Sequence, residues 1–207
     1  MISRDGFALA HSSQQREESE VGNFIPPLVL DHAIQTDAPA GYGCMTSSAD
    51  YFRIRYDIER SMRDSVQVIK ETEEAFAQTF GRKYSWTEEY RCEDADVLIL
   101  AMGTLGKEAE VAVDILRNEG VKAGSMRVRW IRPFPELNLG DRELVVIDRN
   151  YSFGFGGILA TSIRAKTGKE CYNVIAGLGG QEVTYHDIAG FVRDRRIGEE
   201  FWFGVDA

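Results

Sequence analysis

Cysteine is scarce in this 207-residue sequence, with only 3 residues, Cys44, Cys92 and Cys171, spaced far apart. None belongs to a CxxC pair or stands at zinc-finger spacing from a histidine, so the sequence predicts no local zinc or iron-sulfur site. So few scattered thiols also provide no disulfide framework and fit a reducing compartment. We therefore expect a cytoplasmic location.

Long apolar runs and an excess of basic residues are also absent. No run approaches the roughly 20 apolar residues of a membrane helix, and the polar N-terminus lacks the apolar core of a secretory signal. The 24 Lys and Arg are outnumbered by 33 Asp and Glu, which leaves a formal net charge of −9. Because that balance repels phosphate backbones and anionic lipid, we expect neither a nucleic-acid nor a membrane partner.

Groups that commonly act in catalysis are few and dispersed. The 3 histidines, His11, His32 and His186, lie in different parts of the chain, and no serine or cysteine occupies a GxSxG elbow. The sequence therefore predicts no catalytic residue and no metal ligand. Its 43% hydrophobic and 28% charged residues are typical of a globular protein with a sizeable core.

Residues 1–49 differ from the rest and predict an extended arm. A polar run over 12–20 is followed by Pro26, Pro27 and Pro39, which preclude a continuous helix. Roughly 50 residues without periodicity are long for a loop, so the arm either wraps another surface or is the end of another domain. We favour the second interpretation, and we regard Asp5 and His11 as its candidate functional residues.

Residues 50–92 predict a long amphipathic helix and a connector. Apolar residues from Ile54 to Phe80 recur at intervals of three, four or seven, with Ser47, Ser48 or Asp50 as the N-cap and Gly81 as a left-handed C-cap. The helix also carries a group of arginines: Arg53, Arg55, Arg60 and Arg63. They form either a solvated face or a seat for an acidic partner surface.

Residues 93–207 alternate short apolar runs with helical patterns. The predicted strands are Val97–Met102, Val121–Ile131, Leu144–Asp148 and Cys171–Ala176, with helices after Gly103, Gly156 and Thr184. This alternation predicts an α/β fold, a small parallel-sheet Rossmann-like domain. Polar and apolar residues alternate around Met126–Trp130, which places that strand at or near a sheet edge.

Glycine-rich loops follow three of the predicted strands, at the edge where open α/β sheets bind ligands. Gly103 and Gly106 begin a helix but lack a full GxGxxG or P-loop pattern, so they form either a turn or an anion contact. The glycines of the other two loops, which follow the third and fourth predicted strands, either let the backbone approach a ligand or a partner loop or allow tight packing of strand against helix. Their candidate residues are Asp148, Gly154, Gly156, Gly157, Gly179 and Gly180. Three such loops predict a binding surface and no reaction.

A stiff segment, Arg132-Pro-Phe-Pro135, ends the second predicted strand. Its two prolines fix an extended backbone that can hold Arg132 in a defined place. Arg132 is therefore either an interface anchor or part of a surface turn with Phe134 packed inside.

Several stretches together resemble a known family in the right order. These are Asp5-Gly-Phe-Ala-Leu-Ala-His11, Phe24-Ile-Pro-Pro27, Leu30-Asp31, Phe80-Gly-Arg-Lys-Tyr84, Glu89-Tyr-Arg91, Glu93-Asp-Ala-Asp96, Met102-Gly103, Arg132-Pro-Phe-Pro135 and Ile175-Ala-Gly-Leu-Gly-Gly180. The set resembles the alpha chain of pyruvate:ferredoxin oxidoreductase and related 2-oxoacid:ferredoxin oxidoreductases. Ala10 departs from it, because that family usually has Ser there.

The resemblance implies that residues 93–207 form a transketolase C-terminal-like domain that supports subunit association. It implies a share in the CoA-dependent oxidative decarboxylation of a 2-oxoacid, with pyruvate expected, and in the reduction of ferredoxin or flavodoxin. Thiamine diphosphate, Mg and the iron-sulfur clusters would then belong to other subunits (beta, gamma or delta type) or domains. The chain alone is expected to be inactive. The alternative is a free-standing nucleotide- or CoA-binding Rossmann-like module.

Overall fold

The computed structural model describes residues 13, 24–30, 34, 36–38, 41, 43 and 45–205. The chain divides into two compact units, one of Gln15–Tyr84 and one that contains Ser85–Ala207. The arm candidates Asp5 and His11 lie outside the described residues. No helix in the described part of the chain is both long and apolar enough to cross a membrane.

Besides a short 3-10 turn at Leu178–Gly180, the regular structure of the described residues consists of four α-helices and six strands. In chain order they are α1 (Ser48–Phe80), β1 (Thr87–Tyr90), β2 (Val97–Met102), α2 (Leu105–Asn118), β3 (Ala123–Val128), β4 (Glu143–Asp148), α3 (Ile158–Thr167), β5 (Tyr172–Ile175), α4 (Tyr185–Arg193) and β6 (Glu200–Trp202).

The first unit is built on α1, which confirms the predicted long helix. Ser47 caps its start by accepting a hydrogen bond from the Asp50 amide at 3.2 Å, and Gly81 ends it at a φ of 68°. Against its C-terminal end, the Phe24 ring packs edge-on to Phe76 and Phe80 at 5.6 and 5.5 Å. No residue of α1 is buried.

The second unit is a six-stranded sheet in the order β1-β3-β2-β4-β5-β6. All neighbouring pairs are parallel except β1 with β3, which is antiparallel. The sheet confirms the predicted α/β class, and β3 lies one strand from the edge, as its alternation indicates. The edge strands β1 and β6 are additions to the prediction, and β1 lies inside the stretch assigned to a connector.

Alternate residues of β2 build two cores, one on each face of the sheet. Val97 and Ile99 belong to the core that α2 and α4 cover, whereas Leu98 and Leu100 belong to the core that α3 covers. A central parallel strand is buried on both sides, which explains why β2 is apolar throughout. The result is a three-layer α/β/α arrangement, with the loops that follow β2, β4 and β5 at one edge.

Candidate functional site

The carboxyl ends of the parallel strands form the edge to which most predicted site residues belong. The sheet order puts β3 on one side of β2 and β4 on the other, so the chain reverses its direction of winding between β2 and β4. A crevice at such a switch point is where open α/β sheets bind ligands. The predicted residues Gly103 and Asp148 lie on its two sides, at the ends of β2 and β4.

Asp148 is a buried cap for α3. Its carboxylate accepts hydrogen bonds from the amides of Leu159 at 2.8 Å and Ala160 at 3.0 Å, and from the Asn173 side chain at 3.1 Å. Asn173 in turn accepts from the Gly157 amide at 3.3 Å. The amides at the start of α3 are therefore consumed inside the protein, and they are not available to an external anion.

Two opposing effects act on the Asp148 carboxyl. Only 1% of the residue is exposed, and this burial raises its pKa, while the hydrogen bonds from Ala160, Leu159 and Asn173 act in the opposite direction. Each oxygen already holds a donor. The buried carboxylate is therefore a structural hydrogen-bond acceptor.

Glycine is required in the β4–α3 loop for packing. A Cβ on Gly157 would overlap the Asp148 and Asn173 side-chain oxygens, and a Cβ on Gly156 would lie 3.3 Å from Thr161 Oγ1. Gly154 has open space around it, but its φ of 77° favours glycine. Of the two interpretations left open for this loop, tight packing describes Gly156 and Gly157.

Arg149 crosses the switch point. Its guanidinium donates a hydrogen bond to Thr104 Oγ1 at 3.3 Å, and its Nε lies 2.6 Å from where a Cβ on Gly177 would stand. The side chain thus connects the loops that follow β2, β4 and β5. Arg149 is not among the predicted site residues, although it follows Asp148 at the carboxyl end of a predicted strand, because an arginine after a strand is a common surface feature.

An ionic cluster surrounds Glu88 on the edge strand β1. Lys107 and Arg129 donate to its carboxylate at 2.7 and 2.6 Å, and Arg127 donates at 3.1 Å. Partial burial would raise the pKa of Glu88, but the three cations together lower it. The predicted residue Gly106 lies against this cluster. A Cβ added to Gly106 would stand 2.5 Å from Arg127 Cγ.

The tip of the β4–α3 loop exposes two aromatic rings. Phe153 is 90% exposed and Phe155 is 73% exposed, although Ser152 and Gly156 close the loop with backbone hydrogen bonds of 3.0 Å. At the base, the Tyr151 ring packs 4.6 Å from Trp202. We name Phe153 and Phe155 the aromatic tip. An exposed apolar pair on a closed loop is typical of an interaction surface.

The remaining predicted residues stay at the surface. Arg132 is exposed and donates to the carbonyl of its neighbour Ile131 at 2.6 Å, while Phe134 packs against the core on the α3 side. Gly179 and Gly180, with φ of 65° and 87°, form the exposed turn after β5.

The described cysteines are poorly suited to hold an iron-sulfur cluster or a zinc ion. Cys92 and Cys171 are buried, and burial raises the pKa of both thiols, that of Cys171 to about 11. A thiol that resists ionisation is a poor ligand for iron or zinc. Within the described ranges, no three His, Cys, Asp or Glu side chains lie together in a way that could hold a metal ion.

Comparison with known proteins gives matches over most of the chain. Residues 95–188 match the family of pyruvate:ferredoxin oxidoreductase core domain II. Pyruvate synthase subunit PorA of Methanothermobacter thermautotrophicus is 35% identical over 99% of this chain and 56% of its own length. Ketoisovalerate oxidoreductase subunit VorA of Pyrococcus horikoshii is 34% identical over 95% of this chain and 54% of its own length. The chain thus spans about half the length of these curated relatives.

Among solved structures, a 2-oxoglutarate:ferredoxin oxidoreductase from Magnetococcus marinus aligns with a TM-score of 0.45 and 21% identity. The alignment covers 64% of this chain and 23% of that one. The sequence matches run across both units of the chain and include the core-domain segment from 95 to 188. Residues 95–188 therefore belong to the pyruvate:ferredoxin oxidoreductase core domain II family, and the chain is similar over nearly its whole length to subunits of 2-oxoacid oxidoreductases.

Proposed function

We propose that the chain is part of the alpha subunit of a pyruvate, or 2-oxoacid, ferredoxin oxidoreductase, and that it contributes to subunit assembly. One observation carries the proposal: the carboxyl edge of the sheet uses its buried polar groups internally, yet exposes the aromatic tip. The Asp148 carboxylate is occupied by Leu159, Ala160 and Asn173. An edge built in this way is suited to contact a protein surface, and it offers no reactive group to a substrate.

The reaction belongs to the whole complex in this proposal. Pyruvate would lose carbon dioxide and two electrons, its acetyl group would pass to the thiol of coenzyme A, and the electrons would reduce ferredoxin or flavodoxin. Thiamine diphosphate, Mg and iron-sulfur clusters would lie on other subunits or domains, because Cys92 and Cys171 are buried and the described residues contain no group of three His, Cys, Asp or Glu side chains that could hold a metal ion. The relatives named pyruvate synthase and ketoisovalerate oxidoreductase support the 2-oxoacid class. A cytoplasmic location is part of the same proposal.

Docking would use groups at the carboxyl edge that are preorganised. Tyr151 donates to Glu200 at 2.9 Å, and Trp202 donates to the same oxygen at 3.0 Å, so the base of the aromatic tip is fixed before a partner arrives. A preorganised apolar tip loses little conformational entropy on binding. The candidate Arg132, exposed after β3, is a further contact in this proposal.

Affinity purification of the tagged chain from its native cells, without oxygen, tests this function. We expect the eluate to contain iron-sulfur subunits, to have the native mass of a multi-subunit complex and to reduce viologen when pyruvate is added. An eluate that contains the chain alone, without pyruvate-dependent reduction, would contradict the proposal.

Phosphate binding is the second candidate function, in the form of a nucleotide- or CoA-binding module. It is favoured by the start of α2, where Gly103 is exposed and the Arg149 guanidinium lies beside it, donating to Thr104 Oγ1 at 3.3 Å. A ligand at 100 times its dissociation constant would stabilise the fold by about 2.7 kcal/mol. Thermal unfolding with coenzyme A, ATP or thiamine diphosphate measures this, and the same shift in Arg149→Gln would exclude the crevice as the site.

A further inference from the structure

A cavity of about 580 Å³ lies between the end of α4 and the edge strand β6, and we name it the α4–β6 cavity. Three aromatic residues form its apolar wall: Tyr172 of β5, Phe191 of α4 and Phe201 of β6. The Phe201 ring stacks on Tyr172, with ring centres 6.3 Å apart, and meets Phe191 edge-on at 6.2 Å. All lining residues belong to the second unit. A concave site of this volume is typical of one that holds a small ligand.

The Tyr172 hydroxyl is a polar group of this cavity that lacks a partner. Tyr172 is only 5% exposed, and its hydroxyl makes no hydrogen bond with any described residue. Burial raises the pKa of this phenol, Arg196 lowers it, and Asp194 and Glu199 raise it, so these three lining residues lie around the hydroxyl. Because a buried hydroxyl is unfavourable without a hydrogen bond, we expect a bound group to supply one.

The arginines that line the cavity already have carboxylate partners. The three pairs are Arg193 with Glu119 at 2.7 Å, Arg195 with Glu143 at 2.5 Å and Arg196 with Glu199 at 3.6 Å. Each pair cancels the charge of its arginine. The arginines therefore do not prepare the cavity for an anion.

Two further carboxylates line the cavity without a cationic partner among the described residues. The Asp194 side chain forms no ion pair there, and Glu200 accepts from the neutral groups Tyr151 and Trp202 at 2.9 and 3.0 Å. Asp194 is also the C-cap residue of α4, where the partial negative charge of the helix end favours a cation. The lining residues and their ion-pair partners thus comprise three arginines and five carboxylates, a balance that favours a positively charged occupant.

We infer that the α4–β6 cavity binds a guanidinium group on a short aliphatic chain, from either an arginine side chain of another subunit or a free guanidino compound. A guanidinium is flat and has five N–H donors, so it stacks on the Phe201 ring, which is 39% exposed, and donates to the Asp194 carboxylate. The Tyr172 oxygen accepts a further hydrogen bond. Binding of this group does not require the subunit assembly proposed above.

NMR titration of the isotope-labelled full chain tests the site. The probe is N-acetyl-arginine methylamide, and the matched control is N-acetyl-citrulline methylamide, which has nearly the same shape without the charge. We expect the arginine probe to shift the amide signals of residues 194–201, and the citrulline probe to bind about tenfold more weakly, because the charge-assisted hydrogen bonds are lost. Equal binding of the two probes, or no shift in this segment, would overturn the inference.

Two variants test the named contacts. Asp194→Asn should weaken binding of the arginine probe by about tenfold, and Tyr172→Phe, which removes only the hydroxyl, by about fivefold. The control is Glu170→Gln, because the Glu170 carboxylate pairs with Arg164 at 3.3 Å and does not line the cavity. Far-UV circular dichroism and thermal unfolding check that the variants are folded. Unchanged affinity in folded Asp194→Asn and Tyr172→Phe would contradict the assigned contacts.

Recovery of other subunits by the Asp194→Asn chain distinguishes the two sources of the guanidinium. A loss of about tenfold relative to the unaltered chain identifies an arginine of another subunit, and full recovery identifies a free guanidino compound. If the unaltered chain recovers no subunit but binds the arginine probe, the proposed function fails and the guanidinium site stands. If it recovers the subunits but the free chain does not bind the probe, only the guanidinium site is refuted.

Discussion

At the scale of single residues, Asp148 shows how a group in a ligand-binding position is used for structure. The carboxylate stands at the carboxyl end of β4, but the α3 amides and Asn173 occupy it. Its burial would be unfavourable without these donors, because an unpaired buried charge is destabilising. The residue therefore fixes the position of α3 relative to the sheet.

Asp148→Asn should destabilise the fold by about 2 to 4 kcal/mol, because an amide nitrogen would replace one acceptor oxygen and face a buried donor. Urea unfolding, monitored by circular dichroism, measures the change. The matched control is Asp141→Asn, whose side chain is fully exposed and 3.9 Å from Lys169, where we expect about 0.5 kcal/mol or less. Equal stabilities for the two variants would contradict the capping role.

Cys92 and Cys171 should resist alkylation in the folded chain. Burial raises the pKa of Cys171 to about 11, so only about 0.1% of that thiol is ionised near pH 8. Because the folded pKa exceeds the unfolded one, this thiol's contribution to stability is present below about pH 9 and is lost as the pH rises toward 11.

Iodoacetamide labelling near pH 8, followed by peptide mass spectrometry, checks this prediction. Both cysteines should react in denaturing urea and remain unmodified in buffer. Rapid labelling of Cys171 in the folded chain would show that the core on the α3 side is open.

At the scale of elements, the glycines of the β4–α3 loop are required for different structural reasons. Gly157→Ala should cost about 3 kcal/mol or more, because the new Cβ would overlap the Asp148 and Asn173 oxygens. Gly154→Ala should cost about 1 to 2 kcal/mol, because its surroundings are open and only the φ of 77° is unfavourable. Thermal unfolding of the two variants compares them, and a smaller loss for Gly157→Ala would refute the packing interpretation.

The central elements were predictable from the sequence, and the edge elements were not. The buried run Val97–Met102 and the capping pair Thr184 and Asp187 are local signals, and the structure confirms both. The strands Thr87–Tyr90 and Glu200–Trp202 are four and three residues long and partly polar, so only pairing with a distant neighbour reveals them.

The position of the candidate edge was predictable from the sequence, but most of the side-chain contacts at that edge were not. Glycines mark strand exits, so the three loops were placed correctly. The Arg149 bridge to Thr104 and the capping of α3 by Asp148 join residues far apart in the chain, and a single sequence contains no local signal for such contacts. The aromatic tip was also missed, because exposure depends on how the loop folds.

At the scale of the whole molecule, we propose that the chain completes a larger assembly. The aromatic tip and α1 are exposed apolar surfaces, and single units rarely keep such surfaces unless they bind a partner. The family relatives are about twice as long as the matched chain. We therefore expect substitutions at the chain's surface to affect the activity of the proposed complex more than substitutions in its interior that leave the fold intact.

Replacing the aromatic tip by Phe153→Ser and Phe155→Ser should leave stability within about 0.5 kcal/mol, because both rings are exposed. Recovery of other subunits should fall by about tenfold, because the apolar contact is lost. The control is Val111→Ser, an apolar residue that is 45% exposed on α2. Unchanged recovery with the serine pair would remove the tip from the proposed interface.

The most direct measurement of the central claim is pyruvate-dependent viologen reduction by the complex, assembled without oxygen from its subunits with and without this chain. The account predicts that the other subunits form an incomplete, inactive complex without the chain, that adding the chain restores native mass and turnover, and that the chain alone is inactive. A complex that forms and turns over normally without the chain would contradict it.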